Sequence, residues 1–395
     1  MTPLQLTHFT AVSAVGRGLA ETLEALEQQR GGLAPCTFET VDLATHIGEV
    51  RGVDTTALPK ELARFNCRNN RLARLGLLQD GFAEAVAKSA ARWGRRRIGV
   101  FIGTSTSGIL ETELAYRGRS ATGALPQEFN YAGAHNAFSV ADFVRHALQL
   151  EGPAAVVCTA CSSSAKVFAS AQRMLSVGLI DAAVVGGVDS LCLTTLYGFH
   201  SLQLTSGSAC RPFDIARDGI SIGEAAAFAL LERPPDRLGD DAILFLGAGE
   251  SSDAHHMSSP HPEGRGARAS IRQALAAACL EPEDIDYVNL HGTATTSNDS
   301  AEDLAVSAVF GNSVPCSSTK GATGHTLGAA GALEAVICAL SIRHGLMPGG
   351  LNTTTVDPNL HVHYLRENHR GKVHRVLSNS FGFGGANCSL IFGRA

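Results

Sequence analysis

A cysteine between a predicted buried strand and a predicted helix is the residue of this sequence best placed for nucleophilic chemistry. Cys161 follows the apolar run Ala154–Cys158 and opens a helix through Ser162-Ser163-Ser164-Ala165. Unpaired N–H groups and the positive dipole end at a helix N-terminus favour a thiolate, so we expect a lowered thiol pKa. The small neighbours leave backbone N–H groups open to a bound carbonyl oxygen, as an oxyanion hole requires.

Two alternatives for Cys161 stay open at this level. Many cysteines are small buried apolar side chains without chemistry, and Cys161 is compatible with that role. It also forms a C-x-x-C spacing with Cys158, which redox pairs use. Against a redox pair, Cys158 should point back into the sheet, and no Trp-Cys-Gly-Pro type of sequence surrounds it.

Two of the 15 histidines lie in loops of small residues. His291 ends a predicted strand and begins H-G-T-A-T, which places it at the carboxyl edge of a sheet, where α/β sites are built. His325 lies in K-G-A-T-G-H-T-L-G-A-A-G-A, before a predicted helix. Together they suggest a pocket with paired imidazoles, although a hydrogen-bonded loop histidine would explain either one alone. We expect no metal, because the two lie on different elements and no carboxylate motif completes a ligand set.

The segment Asn379–Asn387 (N-S-F-G-F-G-G-A-N) alternates glycine and phenylalanine near the C-terminus. This pattern makes a poor strand centre and suits a mobile flap with aromatic gates. The alternative is a glycine-rich hairpin turn that packs two phenylalanines. A dinucleotide-binding loop is excluded, because neither the G-x-G-x-x-G spacing nor a helix follows.

Alternating strands and helices must position these residues, which predicts a layered α/β fold. Strands are predicted at Ile98–Gly103, Ala154–Cys158, Ala182–Gly187, Ala225–Leu231, Ile243–Gly249, Tyr287–His291 and Val373–Asn379. Helices are predicted at Leu62–Ser89, Ser139–Leu150, Ser163–Val177, Ser270–Cys279 and Gly331–Arg343.

A weak internal repeat suggests that the chain has two related halves. Ile98–Thr106 and Tyr287–Thr295 each combine a strand with Gly-Thr-x-Thr, and the helix Ser163–Ile180 resembles Ala330–Met347. If the repeat is real, the halves are about 1–235 and 236–395. The first half then carries Cys161, and the second carries both histidines.

The composition excludes several classes of protein. With 395 residues, 45% hydrophobic and 17% charged, the chain is neither a disordered tail nor a small disulfide scaffold. Its net charge of -5 argues against general nucleic-acid binding. Ten scattered cysteines, no signal-peptide pattern and no apolar run of about 18 residues favour a soluble cytoplasmic protein without a membrane span.

The motifs occur in an order that resembles the β-ketoacyl synthase (ketosynthase) family of the thiolase superfamily. They are T-A-C-S-S-S around Cys161, R-P-F-D-I-A-R-D-G-I-S-I-G-E at Arg211–Glu224, S-D-A-H-H-M-S-S-P at Ser252–Pro260, H-G-T-A-T at His291, S-T-K-G-A-T-G-H-T-L-G-A-A-G-A-L-E at Ser318–Glu334 and N-S-F-G-F-G-G-A-N at Asn379–Asn387. The resemblance runs from about Arg95 to Phe392. It implies a duplicated thiolase-like α/β fold in five layers, α-β-α-β-α, and a dimer.

The resemblance also implies a reaction. Cys161 would take an acyl group from a thioester, with the backbone N–H groups of Cys161 and Phe383 as the oxyanion hole. His291 and His325 would hold the malonyl thioester carbonyl and stabilise the enolate formed as carbon dioxide leaves. Attack on acyl–Cys161 would then give a 3-oxoacyl product two carbons longer. The other residues that the resemblance implicates are Lys320 as a further catalytic residue, Phe383 as the gate of the acyl pocket, and Glu334, Asp299, Thr293, Thr295 and Phe381 as supporting residues.

Single residues distinguish between the alternative activities of the superfamily. Thiolases and starter-condensing synthases generally replace one histidine by asparagine, so the Cys-His-His set favours decarboxylative elongation over a non-decarboxylating thiolase. Chain-length-factor partner subunits lack the cysteine, so Cys161 favours a catalytic subunit. Cys388 lies near the C-terminus, where thiolases carry a second catalytic cysteine, but its strand-like surroundings favour a buried structural thiol.

The resemblance implies partners and no cofactor. The substrates would be acyl and malonyl groups on the phosphopantetheine of an acyl carrier protein, and the assembly a homodimer or a heterodimer with a chain-length-factor-like subunit. Because the carrier is acidic, we expect it to dock on basic residues, namely Arg64 and Arg68. Val184–Leu204 resembles synthases of aryl-polyene pathways, with housekeeping fatty-acid elongation as the alternative. Ser105–Glu113 resembles the loop that lines the acyl pocket, and it would then set the chain length.

Overall fold

The computed structural model describes residues 2–395, in which strands and helices alternate from end to end. The strands are β1 (Leu4–Ser13), β2 (Gly16–Arg17), β3 (Ala34–Pro35), β4 (His46–Gly48), β5 (Ile98–Gly103), β6 (Ala154–Val157), β7 (Ala182–Asp189), β8 (Ile222–Gly223), β9 (Ala225–Glu232), β10 (Ile243–Ser252), β11 (Tyr287–Asn289), β12 (Pro315–Ser317), β13 (Leu346–Met347), β14 (His363–Tyr364), β15 (His369–Arg370), β16 (Arg375–Gly382) and β17 (Ala386–Arg394). The α-helices are α1 (Gly18–Glu27), α2 (Arg68–Leu77), α3 (Phe82–Trp93), α4 (Ile109–Arg117), α5 (Ser139–Ala147), α6 (Ser163–Ser176), α7 (Leu193–Ser201), α8 (Arg265–Ala278), α9 (Thr296–Phe310), α10 (Lys320–Thr323) and α11 (Ala330–His344).

Two sets of five strands repeat one arrangement. The first set has the order β6-β5-β7-β9-β1, and the second has the order β12-β11-β16-β17-β10. In each set three parallel strands are followed by two that pair antiparallel with their neighbours. A short antiparallel pairing of Leu4–Leu6 with residues 243–245 joins the sets. The fold is therefore the duplicated thiolase-like α/β fold that the motifs led us to expect; the boundary between residues 235 and 236 stays a prediction.

Five layers follow from the distribution of the apolar side chains. Helices α6 and α11 pack between the two strand sets and contribute to one large central core. On the outer faces, α2, α3 and α5 cover the first set, and α8 and α9 cover the second. The two central helices approach closely: a Cβ atom on Gly331 would lie 2.6 Å from the backbone nitrogen of Ala165. Glycine is required at this position, because any larger residue would separate the helices.

One helical segment, Leu327–His344, is long and apolar enough to span a membrane by length and composition. The structure buries 89% of that segment inside the protein, around α11. It is the central helix of the core, which explains why it is apolar on every side.

The predicted strands lie close to their observed positions, because buried strands are short apolar runs with clear breaks. The predicted helix Leu62–Ser89 is wrong. The chain there forms a 3₁₀ helix at Lys60–Phe65 and then α2 and α3 as separate helices. Asp80 and Gly81 adopt φ angles of 54° and 67°, which end the helical path between α2 and α3.

Candidate active site

Cys161 lies in the turn between β6 and α6, at the carboxyl edge of the first strand set. The residue before it, Ala160, has a φ of 50°, an uncommon angle for a residue with a Cβ atom. The end of the neighbouring strand β5 lies close to this turn, since a Cβ on Gly103 would lie 2.3 Å from the nitrogen of Ser164. This tight turn fixes the first turn of α6 against the sheet and directs the Cys161 thiol into the interior, where the residue is 5% exposed.

The structure brings both predicted histidines to this thiol. The Nε2 atom of His325 lies 3.0 Å from the Sγ atom of Cys161. The ring of His291 lies 5.3 Å from the ring of His325, at an interplanar angle of 84°. All three residues line one pocket with about 560 Å³ of empty space, its open mouth included. Burial, together with the charge of Lys320, lowers the pKa of both imidazoles well below the ordinary value, so both are neutral near pH 7.

The expected low thiol pKa is wrong for this site. Burial raises the pKa of Cys161 to about 12, although the charge of Lys320 and hydrogen bonding by the N–H groups of Phe383 and Cys161 act in the opposite direction. Desolvation of the charged form therefore outweighs the helix N-terminus. The thiol is protonated at neutral pH, and the nearest group that can accept its proton is His325.

Lys320 and Glu334 lie behind His291 and do not line the pocket. The Lys320 ammonium donates to Glu334 Oε1 and to the carbonyl oxygen of His291, each at 2.5 Å, and lies 3.4 Å from His291 Nδ1. An ammonium is only a donor, so Nδ1 accepts and the ring proton of His291 resides on Nε2. Lys320, which we expected to be catalytic, contacts His291 and Glu334 and does not line the pocket.

Two carboxylates hold the loop that begins at His291. Asp299, predicted from the resemblance, accepts the N–H groups of Thr293 and Ala294 at 3.0 and 3.2 Å. Glu302 was missed: it accepts the N–H groups of His291 and Gly292, both at 2.7 Å. Burial raises the pKa of Glu302 to about 7. An acidic residue at a buried position of α9, one helical turn beyond Asp299, was the signal that could have found it.

Asp189, at the end of β7, is a second residue that sequence reasoning missed. It is fully buried and accepts the N–H groups of Ser105 and Thr106 at 2.8 and 2.9 Å. It also accepts the N–H group of Gly328 at 2.5 Å. Asp189 thus ties the Ser105–Glu113 segment to the loop that follows His325. The sequence signal for Asp189 was available: a carboxylate follows directly on the apolar strand residues Ala182–Val188.

The Gly-Phe segment is the turn of a hairpin, which was the alternative to a mobile flap. Strand β16 ends at Gly382, and β17 begins at Ala386. Gly384 has a φ of 81°, an angle that a glycine adopts without strain. Phe381 lies with its ring centre 5.8 Å from that of His291, and Phe383 lies 5.4 Å from Phe199. Both phenylalanines line the pocket, as do Thr293 and Thr295.

The other cysteines of interest are not nucleophiles of this pocket. Cys388 is completely buried in β17, and burial raises its pKa well above the ordinary value. Cys158 is exposed, against our expectation that it points into the sheet, and its thiol donates to the carbonyl oxygen of Thr104 at 2.9 Å. All ten cysteines are free thiols in the structure.

The two predicted docking arginines differ in exposure. The Arg64 side chain is 58% exposed and lies 3.6 Å from Asp142. Arg68 is 2% exposed, and its guanidinium pairs with Glu224, Asp54 and Glu49. Arg68 therefore cannot present its charge to a partner, and its assignment to docking is corrected. A row of basic residues predicts a charged face but cannot show which member turns inward.

The ligand atoms of Cys161, His291 and His325 lie within 4.8 Å of one another, a set that a metal ion could also use. Lys320 opposes this use, because its ammonium lies next to His291 and holds that ring as a donor on Nε2. The arrangement fits an anionic oxygen better than a cation: the ring N–H group of His291 and two backbone N–H groups converge on one pocket.

Comparison with known proteins agrees with this geometry. The family models for the N-terminal and C-terminal domains of β-ketoacyl synthase match residues 71–237 and 244–354. The 3-oxoacyl-[acyl-carrier-protein] synthase 2 of Synechocystis sp. is 31% identical over 98% of this chain and 97% of its own length.

Solved structures extend the comparison to the whole chain. A chain in the solved structure of the ketosynthase (ApeO) in complex with its chain length factor (ApeC) from Xenorhabdus doucetiae is 38% identical with a TM-score of 0.90, covering 100% of this chain and 98% of its own. The ishigamide ketosynthase/chain length factor is 27% identical with a TM-score of 0.90, covering 100% of this chain and 99% of its own. The chain therefore belongs to the β-ketoacyl synthase family and is a ketosynthase, an enzyme of the Claisen condensation in fatty acid or polyketide synthesis.

Proposed function

We propose that the chain condenses an acyl group carried on Cys161 with a malonyl thioester, releasing carbon dioxide and forming a 3-oxoacyl thioester two carbons longer. The observation that carries this proposal is the 3.0 Å contact between His325 Nε2 and the Cys161 thiol, with His291 in the same pocket. A thiol beside a neutral imidazole is the arrangement of an activated nucleophile.

In the first step Cys161 exchanges its proton for the acyl group. His325 accepts the thiol proton while Sγ attacks the acyl thioester carbonyl. The N–H groups of Cys161 and Phe383 bind the oxyanion of the intermediate. In the free enzyme the same two N–H groups stabilise the Cys161 thiolate. Collapse of the intermediate breaks the carbon–sulfur bond to the carrier, and His325 passes the proton to the leaving carrier thiolate. The imidazole is neutral again when the acyl–enzyme is complete.

In the second step the malonyl group loses carbon dioxide. The carbon–carbon bond breaks and its electrons move toward the thioester, so negative charge develops on the carbonyl oxygen, next to the Nε2–H group of His291. Lys320 holds the proton of His291 on Nε2, which makes that ring a donor to this oxygen. The enolate carbon attacks acyl–Cys161, and the Cys161 thiolate leaves and takes up a proton from the solvent, which is the one proton that the decarboxylative step consumes. Removing one such donor typically costs a factor of about 100–1,000 in rate.

The carrier of both groups is proposed to be an acyl carrier protein, and a second subunit is proposed to complete the enzyme. Arg64 supports docking of the acidic carrier because it is exposed on the basic segment before α2. A partner subunit, either a second copy or a chain-length-factor-like chain, is supported by exposed apolar side chains. They are Leu114, Tyr116, Tyr131 and Phe138, which are between 39% and 56% exposed.

For the acyl chain we propose a polyene of the aryl-polyene type, with housekeeping fatty acids as the alternative. Support comes from Val184–Leu204, whose residues Phe199 and Leu204 line the pocket. Segment Ser105–Glu113, held by Asp189, is proposed to set the chain length. We also propose that the enzyme works in the cytoplasm, where its free thiols stay reduced, and that the halves 1–235 and 236–395 supply Cys161 and the two histidines respectively.

The test is mass spectrometry after incubation with acyl-loaded and malonyl-loaded carrier protein. We expect an acyl adduct on Cys161 and a product two carbons longer only when malonyl groups are present. A panel of saturated and aromatic polyene chains in the same assay identifies the preferred substrate. Product formation from acetyl thioesters without malonyl groups would instead indicate a thiolase, and absence of the adduct would indicate a partner subunit.

A further inference from the structure

The orientation of His325 is not fixed by a side-chain partner on its far nitrogen. Its Nε2 atom faces Cys161, but among residues 2–395 the buried Nδ1 atom has no hydrogen-bond partner. Functional histidines are usually oriented by a group that binds the second nitrogen. Here the placement of the ring must depend on where the backbone of residue 325 is held.

That backbone is held by a short strand from the other half of the molecule. The N–H group of His325 donates to the carbonyl oxygen of Ser221 at 2.7 Å, and the N–H group of Gly223 donates to the carbonyl oxygen of His325 at 3.0 Å. The approach is close, because a Cβ atom on Gly223 would lie 2.3 Å from the carbonyl oxygen of Thr323. Strand β8 therefore determines the position of His325.

Strand β8 is anchored in turn by the next residue, Glu224, which is fully buried. Its carboxylate accepts the Nε–H and Nη2–H groups of Arg68 at 3.0 and 2.7 Å, a two-pronged ion pair. It also accepts the N–H groups of Val50 and Leu191, both at 2.9 Å. These four hydrogen bonds fix the position of the Glu224 carboxylate, because a shift would leave its charge and that of Arg68 unpaired in the interior.

We propose that the Arg68–Glu224 ion pair is a positioning device for His325, which it fixes through β8 at the distance where the imidazole exchanges a proton with Cys161. The proposal rests on the proposed function of His325. It assigns a role to Arg68, which is too buried to dock a carrier. Both residues act through another and touch neither Cys161 nor the pocket.

The test compares Glu224→Gln with Glu232→Gln, at the two ends of β9. Glu232 is also buried, and it accepts Ser89 Oγ and Trp93 Nε1, both at 2.8 Å, far from the thiol. For folded Glu224→Gln we expect a kcat about 10- to 100-fold lower with an unchanged KM for the acyl carrier substrate, since a 1 Å misplacement can cost about 100-fold. Glu232→Gln should keep the wild-type kcat.

Two further variants keep the proposal open to refutation if Glu224→Gln does not fold. Arg68→Lys retains the positive charge but not the two-pronged geometry. Gly223→Ala leaves the ion pair intact and displaces the strand directly. Both should lower kcat without changing KM. In a His325→Ala background the penalty of Arg68→Lys on the residual acylation rate of Cys161 should disappear, because Arg68 acts on this step only through His325.

Iodoacetamide labelling of Cys161, followed by peptide mass spectrometry, separates this inference from the proposed function, because it needs no substrate. We expect the labelling rate to change in Glu224→Gln, Arg68→Lys and Gly223→Ala and to stay unchanged in Glu232→Gln. Wild-type kcat and labelling in the folded variants, or equal penalties with and without His325, would overturn the inference. Failure of the wild-type enzyme to condense any substrate would overturn the proposed function instead.

Discussion

The Nε2 atom of His325 lies 3.0 Å from the Sγ atom of Cys161, although the two residues are 164 positions apart in the chain. Each residue precedes one of the two central helices, α6 or α11, and those helices pack against each other. The reactive pair is therefore a product of helix packing, and neither strand set contains it alone.

Replacing Cys161 with alanine should abolish the acyl adduct and the condensed product. The matched control is Cys388→Ala, which removes a thiol that is completely buried in β17. Intact-protein and peptide mass spectrometry after incubation with acyl carrier substrate measure both. An adduct that persists in Cys161→Ala, or that disappears in folded Cys388→Ala, would contradict the assignment.

His291→Ala should lower the condensation rate by about 100- to 1,000-fold, because the variant lacks one donor to the enolate oxygen. Acylation of Cys161 should continue, since His325 and the two backbone N–H groups are unchanged. Measuring adduct formation and carbon dioxide release separately distinguishes the two steps. The enolate role would be refuted if this variant condensed at the wild-type rate.

Alkylation of Cys161 by iodoacetamide should still become faster as the pH rises above 9. Burial raises the thiol pKa to about 12 from an ordinary value of 9.0. The reactive thiolate is therefore a minority form at every pH between about 9 and about 12, and its share grows as the pH rises. Because the folded state holds this proton more tightly than the unfolded chain, the same shift lowers the free energy of unfolding as the pH rises from about 9 to about 12. A labelling rate that levels off just above pH 9 would show an ordinary pKa, and one that levels off near pH 7 would show a lowered pKa.

Arg64→Glu should raise the KM for carrier-bound substrate and leave the rate with a small thioester analogue unchanged. The reason is that a reversed charge repels an acidic carrier without touching the pocket. Arg96→Glu is the control, since its side chain is 86% exposed and lies before β5, at the opposite end of that strand from Cys161. Equal KM changes in both variants would indicate a general charge effect and no local docking site.

Glu302→Gln should lower kcat by about tenfold or more, because a carboxylate that accepts two buried N–H groups contributes on the order of 1.5–3 kcal/mol. Burial raises the pKa of Glu302 to about 7, so protonation below this pH removes part of its accepting capacity. We therefore expect the wild-type kcat to fall on the acid side of pH 7 and the Gln variant to lack that step. An identical acid limb in both proteins would exclude Glu302 as its cause.

Much of the fold could be predicted from local patterns. Ile98–Gly103 is a strand with the bounds that its apolar run indicates, and Gly331–Arg343 differs from α11 by one residue at each end. Leu62–Ser89 could not be predicted correctly, because its apolar periodicity continues across the left-handed residues at Asp80 and Gly81. A local sequence pattern identifies the apolar side of a helix or strand, but it identifies the residue at which a helix ends less well.

The site residues were found by their motifs, but their electrostatics were not. The helix N-terminus at Cys161 is a local feature, whereas the burial that raises its pKa comes from the packing of both halves. Arg68 stands in a row of basic residues in the sequence, and its inward direction depends on Glu224, 156 residues away. Glu302 acts on His291 through backbone N–H groups, which a sequence pattern does not display.

The close contact of Gly331 with Ala165 has a consequence for evolution and engineering. Because the two central helices touch at this point, the imidazole of one half is presented to the thiol of the other at an effective concentration that free fragments in solution could not reach. A side chain at position 331 would push the helices apart and lower that concentration. Gly331 thereby sets how closely the His325 imidazole is held to the Cys161 thiol.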